Sequence, residues 1–237
     1  MSSEENPYMI ELKGIHKKYL LKQAISGIDL QVKRGTIVGL LGPNGSGKST
    51  LLKMMAGLIY PTSGTILVGG RKPDVHNKQH VAYLPEIDNL YGWMTVKESL
   101  RFISGFYKDW QADRAADMLV KMELDENQKV RNLSKGMRAR LKLIAALSRN
   151  VPLILLDEPF SGIDPSSRAK IIRSIISEFQ SDEQTIVLST HSVNESEPMF
   201  DDVIFLQNGQ VTIFDSTENL REAYGCSLEN IWEKVYG

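Results

Sequence analysis

The alternation of apolar and polar side chains predicts where the chain forms strands. Ile28, Leu30 and Val32 alternate with polar residues, which is the pattern of a strand with one exposed face. Ile37–Leu41 is a continuous apolar run, as is typical of a strand that is buried on both faces. Further short apolar runs follow much later in the chain, separated by helical patterns. Together they predict the parallel sheet of an α/β fold.

Helical periodicity dominates the middle of the chain. Thr95 and Glu98 fit a capping box, in which each side chain binds the backbone of the other residue, and apolar residues follow at helical spacing. Further helices are predicted over about 111–122 and after Ser134. We therefore expect a helical block over about 87–150, inserted in an α/β frame.

Two local signals place elements in the last third of the chain. Asp164 and Pro165 predict the N-cap and first turn of a helix. Asn208 and Gly209 lie between two apolar segments and predict a tight hairpin turn. The sequence contains no internal repeat and no linker-like stretch, so we expect a single domain over 1–237.

Composition and charge exclude several classes of protein. The 28 Lys and Arg residues nearly balance the 29 Asp and Glu residues, whereas proteins that bind nucleic acid by bulk electrostatics are usually strongly basic. One cysteine, Cys226, excludes an internal disulfide and suits a reducing compartment. The acidic start is unlike a signal peptide, and no run approaches the ~18 apolar residues of a spanning helix. We expect a soluble intracellular protein that does not bind nucleic acid.

The segment 42–49 carries the strongest chemical signal. It fits the pattern G-x-x-x-x-G-K-[ST], follows a predicted buried strand and opens a helical pattern. In that context, backbone N–H groups and the helix N-terminus wrap a phosphate, and Lys48 reaches the β- and γ-phosphates. The Ser49 hydroxyl can coordinate Mg²⁺. The alternative is a glycine turn with an incidental lysine.

Three further candidate residues come directly after predicted buried strands. Asp157 and Glu158 would lie at the carboxyl edge of the sheet, where ligands bind in such folds. Asp157 would hold Mg²⁺, and Glu158 would be the general base for an attacking water. His191 can donate to a γ-phosphate or orient that water. The alternatives are a simple turn at the two acids and, for the histidine, the start of a helix capped by Ser192.

A basic segment stands at the start of the helix predicted after Ser134. Ser134 supplies a hydroxyl, and Gly136 permits a phosphate to approach the first-turn N–H groups. Six basic and no acidic residues lie from Lys129 to Lys142. A solvated helix face is the alternative, and the absence of interleaved aromatics disfavours a nucleic-acid groove.

In this order, the motifs resemble those of the ATPase subunit of ATP-binding cassette (ABC) transporters, over about 8–237. Asp157 and Glu158 match Walker B and the catalytic glutamate, Asp164 matches the D-loop, His191 the switch histidine and Tyr19 the aromatic that stacks on adenine. The Walker A match implies an ATP site formed by Gly42, Pro43, Asn44, Gly45, Ser46, Gly47, Lys48, Ser49 and Thr50.

Two motifs depart from the usual pattern of this family. The signature, usually written LSGGQ, reads Leu-Ser-Lys-Gly-Met here. Its phosphate-contacting Ser134 and Gly136 are retained, so with Lys135 they are expected to contact the ATP of a partner protomer. Glu86 stands where the Q-loop usually has Gln, and an acid there can accept a water or approach Mg²⁺, giving Ser49, Asp157 and Glu86 as the metal set.

The resemblance implies an architecture, ligands and partners. The fold would be a P-loop NTPase fold with a mainly parallel core sheet, an N-terminal antiparallel β-subdomain and an inserted helical subdomain. Two identical or paralogous subunits would face head to tail with ATP and Mg²⁺ between them. The segment 89–100 resembles the contact with a transmembrane permease, and the tail 227–237 resembles bacterial exporters. This implies an ATP-hydrolysing motor for export, cytoplasmic and peripheral on the inner face of the membrane.

Other nucleotide-binding functions are weighed against this interpretation. A soluble ABC ATPase of cofactor assembly would use the same chemistry without a membrane partner. A DNA-repair ATPase needs a long coiled-coil insertion, but only 86 positions separate Lys48 from Ser134. Glu158 and His191 argue against a module that binds ATP without hydrolysing it. A small GTPase would need Asp where the chain has His80.

Overall fold

Two β-sheets organise the chain in the computed structural model, which describes residues 6–74, 77–180, 184–191, 193 and 196–236. The strands are β1 (Tyr8–Tyr19), β2 (Lys22–Lys33), β3 (Ile37–Leu41), β4 (Ser63–Val68), β5 (Val81–Leu84), β6 (Leu153–Asp157), β7 (Thr185–Thr190), β8 (Asp202–Gln207) and β9 (Gln210–Ser216). The α-helices are α1 (Lys48–Met55), α2 (Val96–Ser104), α3 (Ala112–Lys121), α4 (Lys135–Leu147), α5 (Pro165–Glu178), α6 (Thr217–Tyr224) and α7 (Leu228–Tyr236). Three short 3₁₀ turns lie at Asn77–His80, Val130–Asn132 and Glu197–Met199.

The larger sheet has the strand order β5-β6-β7-β3-β8-β9. Its neighbouring strands run parallel, except that β9 pairs antiparallel with β8. Every residue of β3, β6 and β7 is buried. The prediction of a mainly parallel sheet from continuous apolar runs is confirmed.

The smaller sheet is antiparallel, with the order β2-β1-β4. In β2, Ile28, Leu30 and Val32 are buried, while the polar residues between them are exposed. The predicted alternation and the N-terminal antiparallel sheet are therefore confirmed. Between β8 and β9, Asn208 and Gly209 both have positive φ (49° and 77°), as the predicted two-residue hairpin turn requires.

Helices α2 to α4 lie between β5 and β6 in the chain, as the helical pattern predicts. The capping box of Thr95 and Glu98 is formed, and Ser134 and Asp164 cap α4 and α5 through their side chains. No helix among the described residues is both long and apolar enough to cross a membrane. The subdomain boundaries at 87–150 stay a prediction, and the Ser192 cap falls outside the described residues.

The large sheet separates two apolar cores. Ile37 and Leu41 of β3 belong to the core that includes the buried faces of α3, α4 and α5, whereas Val38 and Leu40 belong to the core shared with α1 and the small sheet. Successive side chains of a strand point to opposite faces. Because apolar side chains cover both faces of the sheet, the candidate polar residues lie at its carboxyl edge, where the strands end.

Candidate functional site

The candidate residues converge because three neighbouring parallel strands end at one edge. The loop 42–47 follows β3, Asp157 ends β6 with Glu158 next, and His191 follows β7. Strands β6, β7 and β3 are adjacent in the sheet. The structure thus brings together the residues that the sequence places after separate buried runs.

The loop before α1 requires glycine at two positions. A Cβ at Gly42 would overlap the Leu206 carbonyl oxygen and would lie 2.6 Å from Ser46 Oγ. Gly47 has φ 113° and is the N-cap of α1, without a side-chain hydrogen bond to the first turn. The N–H groups of that turn are thereby left for an anion. The Ser46 hydroxyl is buried and has no hydrogen-bond partner among the described residues, as a site built around an absent polar ligand would show.

Lys48 is buried at the centre of this loop. Its ammonium donates to the Gly42 carbonyl over 2.7 Å and to the Pro43 carbonyl over 3.3 Å. It also forms an ion pair with Glu158, whose Oε1 lies 3.2 Å away. Both side chains are less than a tenth exposed. The carboxylate of Glu158 therefore helps to neutralise a buried cation that can also bind phosphate.

Glu158 is held in a strained backbone conformation. Its φ is 46°, in the left-handed region that costs a residue with a side chain roughly 1–2 kcal/mol. Its N–H donates to Ser189 Oγ over 2.9 Å, and its Oε2 lies 2.8 Å from His191 Nδ1. The histidine is about half exposed (47%). This geometry connects the candidate base to solvent through His191 and to the phosphate site through Lys48.

Asp157 is a buried carboxylate that accepts hydrogen bonds from three hydroxyl groups. Oδ1 accepts from Ser49 Oγ (3.0 Å) and Ser189 Oγ (2.8 Å), and Oδ2 accepts from Tyr83 Oη (3.1 Å). Burial, followed by the charge of Asp157, raises the pKa of Tyr83 far above its usual range. Within the described part of the chain, Asp157 has no ion-pair partner.

These ligands suit a hard divalent cation. A buried charge without a cationic partner usually coordinates a metal, and Mg²⁺ prefers oxygen ligands supplied by few protein groups and by substrate phosphates. The described residues contain no group of three or more His, Cys, Asp or Glu that could hold a metal ion. Ser49 and Asp157 therefore fit Mg²⁺ that is bound together with a nucleotide.

Glu86 lies in a loop whose backbone carbonyls are bound by a lysine of α4. Lys142 of α4 donates to the carbonyl oxygens of Pro85 (2.6 Å), Glu86 (3.1 Å) and Ile87 (2.9 Å). Burial lowers the pKa of this lysine. The Glu86 side chain is exposed and makes no hydrogen bond to the described metal set. Its part in metal binding stays a prediction.

The signature and the D-loop pack against each other. The Ser134 hydroxyl is exposed and accepts from the Met137 N–H, while a Cβ at Gly136 would meet Ser167 Oγ at 2.8 Å. A Cβ at Gly162 would overlap Lys135 Nζ, so the lysine covers the D-loop turn. Hydrogen bonds from the Ser166 hydroxyl and the Ser167 backbone hold the pKa of Asp164 below its usual range.

Among the described residues, neither the signature nor Tyr19 is hydrogen-bonded to the phosphate loop. Across the described ranges, no hydrogen bond or ion pair connects residues 134–136 with residues 42–50. Tyr19 ends β1 with 45% of its surface exposed, and the Lys17 ammonium lies 5.0 Å from its ring centroid. Its role in adenine stacking stays a prediction.

An open groove of about 350 Å³ lies beside the Q-loop, between the end of β5 and helices α2 and α4. We call it the aromatic groove, and it is lined in part by Tyr91, Met94, Phe102, Phe106, Tyr107 and Lys142. Tyr91 and Trp93 are 51% and 66% exposed, with ring centroids 6.0 Å apart. Both rings therefore leave about half or more of their surface open to solvent.

Sequence reasoning missed three of the contacts described above. Tyr83 and Ser189 donate to Asp157, although the sequence assigns neither residue a role. Lys142 is predicted as part of a basic segment, yet it binds the Q-loop backbone. One of these contacts has a signal in the sequence. Ser189 stands at the end of an apolar run, two residues before His191, which is where a polar side chain would reach the carboxyl edge of the sheet.

Comparisons with known proteins agree with this geometry. The family profile described as "ABC transporter" matches residues 25–161. The Nod factor export ATP-binding protein I of Burkholderia orbicola (strain AU 1054) is 36% identical over 235 residues, which cover 94% of this chain and 76% of that protein. The uncharacterized ABC transporter ATP-binding protein YxlF of Bacillus subtilis (strain 168) is 33% identical, over 90% of this chain and 73% of that protein.

Two solved structures share the fold. The structure of an ATP-binding subunit of an ABC transporter superposes with a TM-score of 0.85 at 28% identity, covering 97% of this chain and 100% of the other. A dimeric ATP-binding cassette in a post-hydrolysis state, with ADP and Pi bound, has a TM-score of 0.78 at 27% identity, covering 88% and 98%. The chain therefore belongs to the family of ABC transporter ATP-binding proteins and is an ATPase.

Proposed function

We propose that this ATPase is the motor subunit of an exporter whose membrane-spanning part is a separate permease. The observation that carries the proposal is the aromatic groove, which leaves large apolar rings exposed next to the Q-loop. Exposed aromatics of this kind are typical anchors of protein interfaces. The similarity to a protein named for Nod factor export supports export as the direction.

The residues of the carboxyl edge divide the chemistry among them. Lys48 and the N–H groups at the start of α1 bind the β- and γ-phosphates. Mg²⁺, when bound by Ser49 and Asp157, would neutralise charge on those phosphates. Because the phosphates compete with Glu158 for the Lys48 ammonium, nucleotide binding releases Oε1 of that carboxylate. Glu158 then accepts the proton of the attacking water, and His191 orients Glu158 through Oε2.

Two protomers complete each ATP site in this proposal. Ser134 and Lys135 are exposed at the start of α4, and Gly136 beside them is buried against Ser167. Among the described residues, none of the three is hydrogen-bonded or ion-paired to the phosphate loop. They are therefore available to the γ-phosphate held by a partner, which is either a second copy or a paralogue. The similarity to a dimeric cassette structure supports this arrangement. We place the assembly in the cytoplasm, on the inner face of the membrane.

Lys142 provides a physical connection between the groove and the signature. It belongs to α4, the helix that begins at the signature, and it binds three consecutive carbonyls of the loop that borders the groove. Arg138 of α4 adds a second connection through Asp88, over 2.5 Å. A partner that displaces the Q-loop therefore moves α4 with it.

The proposal is tested by reconstitution with the hydrophobic product of a neighbouring gene in lipid vesicles. We expect the permease to recruit the chain and to stimulate its hydrolysis, and Trp93→Ala to reduce both while basal hydrolysis stays within about twofold. The Trp93 ring lies beside that of Tyr91, which lines the groove. Tyr60→Ala is the matched control, since Tyr60 is similarly exposed (62%) but neither lines the groove nor packs against Tyr91.

The outcomes of this reconstitution separate the alternatives. Equal recruitment of the parent and Trp93→Ala would move the contact elsewhere on the surface. Failure of the vesicles to recruit even the parent would favour a soluble ATPase without a membrane partner.

A further inference from the structure

Tyr83 contacts the candidate metal site from β5, the strand that leads into the Q-loop. In the parallel register of β5 and β6, Tyr83 lies opposite Leu155, two residues before Asp157. Side chains two residues apart on a strand share a face. The half-buried ring of Tyr83 therefore extends over β6 toward Asp157, and its hydroxyl donates to Oδ2 over 3.1 Å.

The two carboxylate oxygens of Asp157 have different partners. Oδ1 accepts hydrogen bonds from Ser49 and Ser189, whereas Tyr83 is the described donor to Oδ2. The terminal torsion of an aspartate is soft, so hydrogen bonds at both oxygens are needed to define the plane of the carboxylate. Removal of the Tyr83 hydroxyl would take this hydrogen bond from Oδ2, so that the orientation of the carboxylate plane would be fixed through Oδ1 alone.

We propose that Tyr83 is a positioning residue, whose hydroxyl holds the Asp157 carboxylate in the orientation that Mg²⁺ bound with ATP requires. This inference rests on the proposed function, because it takes Asp157 as the metal-binding carboxylate. Tyr83 itself does not touch the nucleotide. It acts through Asp157, so its effect should be confined to the metal-dependent part of nucleotide binding.

The test compares nucleotide affinity with and without metal. The non-hydrolysable ATP analogue AMP-PNP is titrated calorimetrically into the full chain, in Mg²⁺ and in EDTA. We expect Tyr83→Phe to raise the Kd in Mg²⁺ about tenfold, as for the loss of a hydrogen bond to a charged group. The Kd in EDTA should stay unchanged. The affinity of the AMP-PNP complex for Mn²⁺, measured by electron paramagnetic resonance, should fall by a similar factor.

Tyr236→Phe is the matched control. Tyr236 is also half-buried, and its hydroxyl donates to the Leu206 carbonyl over 3.2 Å, away from Asp157. It should lower the melting temperature to a similar extent but leave the ratio of the two Kd values unchanged. A change of that ratio in Tyr236→Phe would mean that a general loss of packing produces the effect.

A double-mutant cycle with Asp157→Asn tests whether Tyr83 acts through the carboxylate. In the Asp157→Asn background, Tyr83→Phe should change the Kd in Mg²⁺ by less than about twofold. An undiminished effect there, an unchanged ratio in the single variant, or equal weakening in Mg²⁺ and EDTA would each overturn the inference. If the parent itself bound AMP-PNP equally with and without Mg²⁺, the metal assignment of the proposed function would fail instead, and the inference with it.

Discussion

The phosphate-binding edge and the signature are built in opposite ways. At the edge, Lys48, Asp157 and Glu158 are buried and bound to one another or to shared serines. At the signature, Ser134 and Lys135 are exposed, and the helix start contacts the D-loop instead of the phosphate loop. The residues of the phosphate-binding edge thus contact one another within a single chain, whereas the signature presents its polar groups to a ligand or a protein outside its own chain.

This difference separates binding from catalysis. A preorganised buried site can bind a nucleotide without a partner, because its charges and hydrogen-bond donors are already in place. An exposed phosphate-binding helix start contributes only when a second molecule brings it to the ligand. We therefore expect variants at the edge to change the chemistry or the affinity of each chain, and variants at the signature to act on the partner's site.

The largest expected effect is that of Glu158→Gln. The amide keeps the shape of the side chain but cannot accept the proton of the attacking water, so hydrolysis should fall by roughly 10²–10⁴-fold. ATP binding should persist, and ATP should trap a dimer that is visible by size-exclusion chromatography. Glu218→Gln, which changes an exposed carboxylate on α6, outside the site, is the control. Hydrolysis at the parental rate in Glu158→Gln would remove Glu158 from the role of base.

Lys48→Ala should weaken the binding of ATP to the monomer by about 10- to 100-fold. The β- and γ-phosphates lose a charged donor, and such hydrogen bonds contribute roughly 1.5–3 kcal/mol. The matched control is Lys53→Ala, because Lys53 is exposed in the same helix, α1. Calorimetric titration of ATP measures the effect, and an unchanged affinity in Lys48→Ala would contradict the phosphate-loop assignment.

Ser134→Arg tests whether the signature serves the other protomer. The added charge and bulk should block closure and hydrolysis, while monomer ATP binding stays within about twofold of the parent. In an equimolar mixture with Lys48→Ala, mixed dimers have one site with both lesions and one with neither. Such a mixture should recover about a quarter of the parental activity if one intact site suffices. Loss of monomer ATP binding in Ser134→Arg would instead place the signature in its own chain's site.

The part of the site that sequence predicts is the part that follows strand ends. Residues 42–49, Asp157 and His191 each come after a buried apolar run, and parallel strands end at one edge, so the sequence predicts that all three lie at that edge. Their contact depends in addition on the adjacency of β6, β7 and β3 in the sheet. The motifs themselves limit the chemistry, because each residue type fits a step of phosphate binding or hydrolysis.

The contacts that sequence missed depend on register and on packing between distant elements. Ser189 reaches Asp157 because the two residues are opposite each other in the β6–β7 register, and Tyr83 reaches it from β5. No local pattern specifies which residues of two buried strands are paired. Likewise, Lys142 has the spacing of a surface residue on α4, and only the packed structure places the Q-loop against its ammonium.

The smallest expected effect is that of Lys142→Met, which tests whether α4 couples the signature to the Q-loop. Methionine keeps an apolar stem of similar length but removes the three hydrogen bonds to the Q-loop backbone, so α4 should follow that loop less closely. We expect permease-stimulated hydrolysis to fall by roughly threefold to tenfold, while monomer ATP binding stays unchanged, because a donor bound to partly exposed carbonyls contributes about 1 kcal/mol net. Lys97→Met is the control, since Lys97 is exposed on α2 and pairs with Glu126 at the surface. Equal stimulation of the parent and Lys142→Met would show that groove and signature communicate by another route, and a loss of basal ATP binding in Lys142→Met would show that the lysine supports the phosphate site itself.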